Sequence, residues 1–231
     1  MALHSISHTE ERHSLLICGI ANQYYKGEIP FYVLNGEAVG SAKNILNSLD
    51  DGCPADKKLV PPEHEQEVRA AFDEYNGVMG VSMAQWVYYY VLQLKELANK
   101  MMTEGTEFWE VALNYAAFPL VAGIMKKGLK DLDANVAQKA LETNKRILDA
   151  ADAKLADGRP FLIGDRITAA DLSFCAATAP LMLDSQYGGA LPTIDEVQPE
   201  MQAEVREFRQ RESARFVQRL YSEYRTSTPQ T

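Results

Sequence analysis

Apolar residues recur along this chain in two rhythms, and the change comes near Pro62. Upstream, short runs dominate. Leu3 to Ile6 alternates as a strand does. Thr9 to Cys18 predicts a helix, with Thr9 as its cap, Glu10 and Glu11 in its first turn, and Gly19 at its end. Phe31 to Leu34 predicts a strand, Asn35-Gly36 a tight hairpin, and Glu37 to Val39 the returning strand. Ser41 then caps a helix with Ile45, Leu46 and Leu49 on one face.

Downstream the period is helical. Glu63 to Tyr75 places Val68, Ala71, Phe72 and Tyr75 at i, i+3, i+4 and i+7. Gly77 and Gly80 are expected to break that helix. Val81 to Leu97 predicts a second, carrying Trp86, Tyr88, Tyr89 and Tyr90. Glu107 to Leu129 predicts a third, with Pro119 as a kink or break. Ala134 to Leu155 is a fourth, with Leu141, Leu148 and Leu155 on one stripe. A fifth starts at Thr168 and runs toward Tyr187-Gly188-Gly189. It is apolar nearly all round, which marks a buried helix. Gln198 to Tyr224 supplies one or two more, with arginines and glutamates interleaved as on a solvated face. The polar stretch from Asp50 to Lys58 and Pro61-Pro62 reads as a linker. The layout is a small α+β unit over residues 1–52, a linker at 53–62 and an all-helical domain over 63–231.

The formal net charge of -9 argues against nucleic acid and anionic membranes as main partners, since both reward a basic surface. No apolar run approaches the roughly 20 residues that span a bilayer, so no membrane insertion is expected. Residues 1–12 are polar and show no signal-peptide core. Cys18, Cys53 and Cys175 are odd in number and lack metal-binding spacing with the four histidines. Reduced thiols, a cytoplasmic setting and no metal site are the expectation.

The most specific local signal is Gly164-Asp165-Arg166-Ile167-Thr168-Ala169-Ala170-Asp171-Leu172. A glycine stops one segment. Thr168 is placed to accept from the N–H of Asp171, and Asp171 to accept from the N–H of Thr168. This run resembles the Gly-Asp-x-x-Thr-x-Ala-Asp-Leu start of the core helix in cytosolic glutathione transferases, matching at Gly164, Asp165, Thr168, Ala170, Asp171 and Leu172. The approach segment from Leu155 to Leu162 is similar to that family too. The resemblance implies a truncated thioredoxin-like α+β unit followed by an all-α helical bundle. It covers residues 140–185 strongly and the rest loosely. Thr168 and Asp171 are structural in this reading, because their task is to start a helix.

Family analogy also says where chemistry would sit. A glutathione transferase lowers the pKa of the tripeptide's thiol, because the thiolate is the nucleophile. The donor belongs in the loop ahead of the first helix, here Ile6 to Arg12, and Ser7 and Thr9 are the candidate catalytic hydroxyls. Thr9 equally reads as a plain helix cap. Glu10 stands where the family often has Ser or Cys, and a carboxylate there would raise a thiol pKa. Glu28-Ile29-Pro30-Phe31 resembles the segment in which a cis-proline lets the residue before it pair with the cysteinyl backbone; a trans proline at a strand start is the other reading. Gly40-Ser41 stands where an acidic residue and a serine hold the γ-glutamyl end at a helix N-terminus. Ile29, Pro30, Gly40 and Ser41 are thus the candidate glutathione-binding residues, with the acidic partner missing.

Only ten residues separate Gly19 from Pro30, where a full unit holds a strand and a helix. That deletion weakens or removes the glutathione site. Met79, Met83, Trp86 and Tyr90 share one helical side and suit a hydrophobic substrate pocket between the domains, or equally the core or a dimer interface. Two functions follow. One is conjugation of glutathione to small hydrophobic electrophiles. The other is a non-catalytic relative, carrying apolar ligands or serving as a dimerising interaction module. By analogy the protein is a homodimer.

Overall fold

Asn-Gly between two apolar runs predicts a hairpin, and the structure has it. The protein is described here by a computed structural model covering residues 8–18, 30–34, 36–183 and 185–225. Strand β1 (Phe31–Leu34) pairs antiparallel with β2 (Glu37–Gly40), Phe31 opposite Gly40 and Leu34 opposite Glu37. Gly36 sits at φ 84°, a conformation open to glycine in a tight turn. Helix α1 (Ala42–Asp51) follows and packs back on both strands. The expected strand at Leu3 to Ile6 lies outside the described residues.

The expected helix from Thr9 is not there. Residues 8–14 are non-helical and helix occupies 15–18. Thr9 is exposed and caps nothing. The reason is tertiary: Arg12 reaches the carbonyl of Gly188 at 3.3 Å, and His13 and Ser14 bond to Glu110. These partners lie far along the chain and hold the segment out of the helical conformation that local propensity favours.

Beyond the linker the chain is helical. Helix α2 (Glu65–Phe72) runs into a π-helical stretch (Asp73–Met79) and directly on into α3 (Gly80–Val91). Gly77 and Gly80 therefore do not break the rod; they lie within and just after a widened turn that absorbs an extra residue. Helix α4 (Lys95–Thr103) is separate, so the predicted run from Val81 to Leu97 is two helices. Helices α5 (Phe108–Ala116) and α6 (Phe118–Gly128) meet at a 79° bend. Pro119 occupies the first turn of α6, where its missing N–H costs nothing. Helix α7 (Ala134–Leu155) has the predicted limits and is capped by Asp133, whose carboxylate accepts from the N–H of Val136 at 2.8 Å. Helices α8 (Ala169–Met182), α9 (Pro199–Phe208) and α10 (Glu212–Tyr224) complete the domain.

Helix α8 is the central element, touching α2, the π-helical stretch, α3, α9 and α10. Phe174, fully buried, meets Tyr75 edge-on at 5.1 Å and Phe216 at 6.2 Å. Pro180 lies inside α8. The carbonyl it leaves without a donor belongs to Ala176, an exposed position where water can take over. The helix ends at Met182, earlier than its apolar pattern suggests, because Leu183 turns into the left-handed region at φ 48°.

The helix start at Thr168 carries the predicted capping box with Asp171. Asp171, buried, accepts from the Thr168 N–H at 2.7 Å, as expected. The Thr168 hydroxyl, the other half of the box, also donates to the same carboxylate at 2.9 Å. The other carboxylate oxygen takes the N–H of Leu162 at 2.8 Å. Asp171 thus ties the helix start to the loop before it. Burial raises its pKa and the three donors pull the other way.

Candidate functional site

The strand-to-helix turn at Ser41 is the strongest candidate among the described residues. The hairpin register fixes it: Phe31 pairs with Gly40, so Pro30 and Ser41 come next to one another at the same end of the hairpin. Pro30 is exposed, and Gly40 and Ser41 are half-buried. Ser41 is the N-cap of α1, its Oγ accepting from the N–H of Asn44 at 3.3 Å. The N–H groups of the first helical turn have no acceptor within the helix and carry its positive dipole end, which suits an anion. No acidic side chain stands in that turn.

Ser41 holds φ 64° and ψ 144°, a region that L residues rarely adopt. The strain is needed to turn the chain sharply from strand to helix. Lys43, two positions on, pairs with Asp73 at 3.1 Å, tying α1 to the helical domain. A second tie is buried. Asp50, near the end of α1, accepts from the N–H of Leu59 at 2.9 Å and of Val60 at 2.7 Å. The Leu59 carbonyl in turn accepts from Ala169 at 2.8 Å, the first residue of α8. The turn at Ser41 is therefore carried on a unit locked to the core helix through the linker.

The other candidates fare differently. Ser7 and Ile29 lie outside the described residues. Thr9 is exposed, in a segment that does not begin a helix. The pocket expectation needs correction. Met79, Met83 and Trp86 are 0%, 2% and 1% exposed and belong to the hydrophobic core. Tyr90 is half-buried and meets Trp86 edge-on at 5.9 Å. These side chains pack against α7 and α8, and a helical stripe cannot fill the core and line an open cavity at once. A shallow cleft between α7 and α9, lined by Lys145, Glu204, Glu207 and Arg211 among others, is too small for a tripeptide and lies away from the turn.

One polar cluster has no counterpart in the sequence reading. Glu110 on α5 is fully buried. One oxygen meets His13 Nδ1 at 2.8 Å and the other accepts from the Ser14 N–H at 2.6 Å. His13 Nε2 meets Glu11 at 2.9 Å. The bond to Glu110 raises the His13 pKa against its partial burial, and Glu11 adds to the effect. Burial pushes Glu110 up, but the bonds from His13 and Ser14 outweigh it and leave the carboxyl below its usual range. Nearby Cys18 donates to the His13 carbonyl at 3.2 Å; burial, with Glu110 close by, raises its thiol pKa. Burial does the same to Cys175. Neither is an activated thiol. The one signal of this cluster in the sequence is a glutamate among apolar residues in Phe108 to Ala116, but its partner sits 97 residues away.

Among the described residues no group of histidine, cysteine or carboxylate side chains is arranged to hold a metal. No single helix among them is long and apolar enough to cross a membrane. A search of curated proteins and of solved structures found no match to this chain. Residues 103–212 match the family model of the glutathione S-transferase, C-terminal domain. That span runs from the end of α4 into α10 and includes Thr168, Asp171 and the buried α8. Over that span the helical domain is similar to the C-terminal domain of glutathione S-transferases.

Proposed function

We propose that the protein binds glutathione at the Ser41 turn and conjugates it to small hydrophobic electrophiles. The observation that carries this reading is the meeting of Pro30 and Ser41 at one end of the hairpin, ahead of a helix N-terminus. The first-turn N–H groups of α1 would hold the γ-glutamyl carboxylate, with Gly40 keeping side-chain bulk away. Ile29, through its backbone, would pair with the cysteinyl unit beside Pro30. Ser7 or Thr9 would supply the hydroxyl that stabilises the thiolate. Supporting the reading is the likeness of residues 103–212 to the C-terminal domain of glutathione S-transferases, with a small α+β unit ahead of it in the chain.

A second reading has an observation of its own. Met79, Met83 and Trp86 fill the core instead of lining a cleft, and the Ser41 hydroxyl is engaged in capping α1. Both favour a non-catalytic relative that uses the scaffold for carriage or assembly. Calorimetry with glutathione separates the two. Saturable heat at millimolar or lower concentration, together with turnover of a chromogenic electrophile, supports the transferase. Binding without turnover leaves a binding protein. No heat at millimolar glutathione overturns the site at Ser41.

A further inference from the structure

Helix α5 is built inside out. Its buried side chains are Glu110 and Asn114, the latter donating to Asn99 at 2.9 Å. Its outward side chains are apolar, with Phe108 82% and Trp109 46% exposed and Ala112, Leu113 and Ala116 beside them. Across the bend, α6 exposes Leu120 at 60% and, one turn on, Ile124. The two helices sit at the margin of the bundle, packed mainly on α4 and on each other and not on the central α8. An exposed apolar surface of this extent marks an interaction site.

The polar inventory of this face favours lipid over protein. From Phe108 to Met125 the polar side chains are Trp109, Glu110, Asn114 and Tyr115. Glu110 and Asn114 are buried, which leaves outside only the indole of Trp109 and the hydroxyl of Tyr115, donating to Glu96 at 2.5 Å. A protein interface carries about one hydrogen bond per 100–200 Å², and this face has almost nothing to contribute to one. A bilayer surface asks for none, and its headgroup region accommodates Trp and Tyr with lysines at their margin. Such lysines are present. Lys126, Lys127 and Lys130 are exposed where the apolar stretch ends, and Lys95 of α4 lies over the Tyr115 ring at 3.6 Å. Asp131 offsets one of them, while Asp133 is engaged in capping α7. The other end is acidic, with Glu107 at the start of α5 and Glu104 within 3.9 Å of Arg12.

Length decides how these helices can meet a bilayer. At about 1.5 Å per residue α5 and α6 extend about 14 and 17 Å, against roughly 30 Å of hydrocarbon. The 79° bend keeps the two lengths from adding. They can lie in the surface but not cross it. The net charge of -9 belongs to the whole chain. Screening over about 8–10 Å confines the attraction to the groups nearest the lipid.

We propose that α5 and α6 form a lipid-surface anchor. Phe108, Trp109, Leu113, Leu120 and Ile124 enter the boundary between headgroups and acyl chains of an anionic bilayer, and Lys126 and Lys127 meet its phosphates. The proposal is independent of glutathione binding.

The test is flotation of the full chain with vesicles of phosphatidylcholine alone or enriched in phosphatidylserine, read together with tryptophan emission. Trp86 is 1% exposed in the core, so a blue shift on vesicles reports Trp109. The expected result is flotation with the phosphatidylserine-rich vesicles, a blue shift that Trp109→Phe removes, and release as salt is raised. Leu120→Asp and Phe108→Ser should each weaken binding at least about tenfold. Lys126→Glu with Lys127→Glu should abolish the preference for phosphatidylserine. All these positions are exposed, so the fold should be retained, and thermal melts verify it. A chain that floats with neither vesicle overturns the proposal. So does flotation indifferent to both Leu120→Asp and Phe108→Ser. A Trp109 shift that appears on concentrating the chain without vesicles also overturns it, since protein would then cover the face. Equal flotation with both vesicles overturns the role given to the lysines.

Discussion

Glu110, fully buried on α5, holds His13 of the N-terminal segment at 2.8 Å and binds the Ser14 backbone with its second oxygen. One side chain from the matched family domain thus organises a stretch lying 97 residues earlier. Glu110→Ala removes both acceptors at once. Charge-assisted bonds contribute about 1.5–3 kcal/mol each, and the half-exposed His13 recovers part of that from water, so a loss of about 2–3 kcal/mol is expected. Proteolysis should also reach residues 8–18 sooner. Unchanged denaturation midpoint and unchanged cleavage would show that the contact carries no weight.

The same contact predicts a pH dependence. The folded pKa of His13 lies above its unfolded value. A raised histidine contributes fully below about 6.5, its ordinary value, and loses that contribution as pH rises through the folded pKa. The stability gap between wild type and His13→Ala should therefore be widest near pH 6 and shrink in alkaline buffer. A gap that stays constant or widens with pH contradicts the charged pair.

Asp171 serves three donors: the N–H groups of Leu162 and Thr168 and the Thr168 hydroxyl. Asp171→Ala leaves them buried without an acceptor, at about 1–3 kcal/mol for each unsatisfied group. Loss of at least 3 kcal/mol, or failure to fold, is the expected outcome. Asp171→Asn keeps one good acceptor and should lose less. Equal urea midpoints for Asp171→Ala and wild type would refute the assignment.

Ser41 couples strain to capping, and two substitutions separate them. Ser41→Ala loses the cap and keeps the positive φ, at about 1 kcal/mol or more. Ser41→Gly loses the cap but relieves the backbone, and should come out near neutral. On the proposed function, Ser41→Ala also weakens glutathione binding in calorimetry. A glycine variant less stable than the alanine variant would mean that the strain at φ 64° is not real.

Asp50 offers a parallel test for the linker. Asp50→Ala frees two buried N–H groups, those of Leu59 and Val60, and should destabilise by about 2–4 kcal/mol. The exchange of those two amides, followed by NMR, should rise well above that of Ala169. Retained protection at Leu59 and Val60 would show that Asp50 is not their anchor.

Much of this molecule was legible in short windows of sequence. Ala134 to Leu155 showed its limits through its period. Pro119 marked the break between α5 and α6, and Asn35-Gly36 the hairpin between β1 and β2. The start of α8 was written in Thr168 and Asp171, though not the donor role of the threonine hydroxyl. Each of these rests on neighbours a few residues apart, where propensity and capping act alone. The glycines at 77 and 80 misled for the complementary reason: burial of Tyr75, Met79 and Met83 on one rod outweighs the weak helix propensity of glycine.

The sequence by itself determined the helical content, the positions of many caps and breaks and the glutathione-transferase-like helix start at Thr168. The tertiary structure decided which faces turn inward. Residues 8–14 stay out of helix because Glu110 and Gly188 supply bonds that a local helix would forgo. Met79, Met83 and Trp86 became core because α7 and α8 close over them. Helix α5 turned its aromatic side outward because its inner face had to meet His13, Ser14 and Asn99. In each case the choice depends on partners that sequence proximity does not bring together, and only packing brings them within bonding distance.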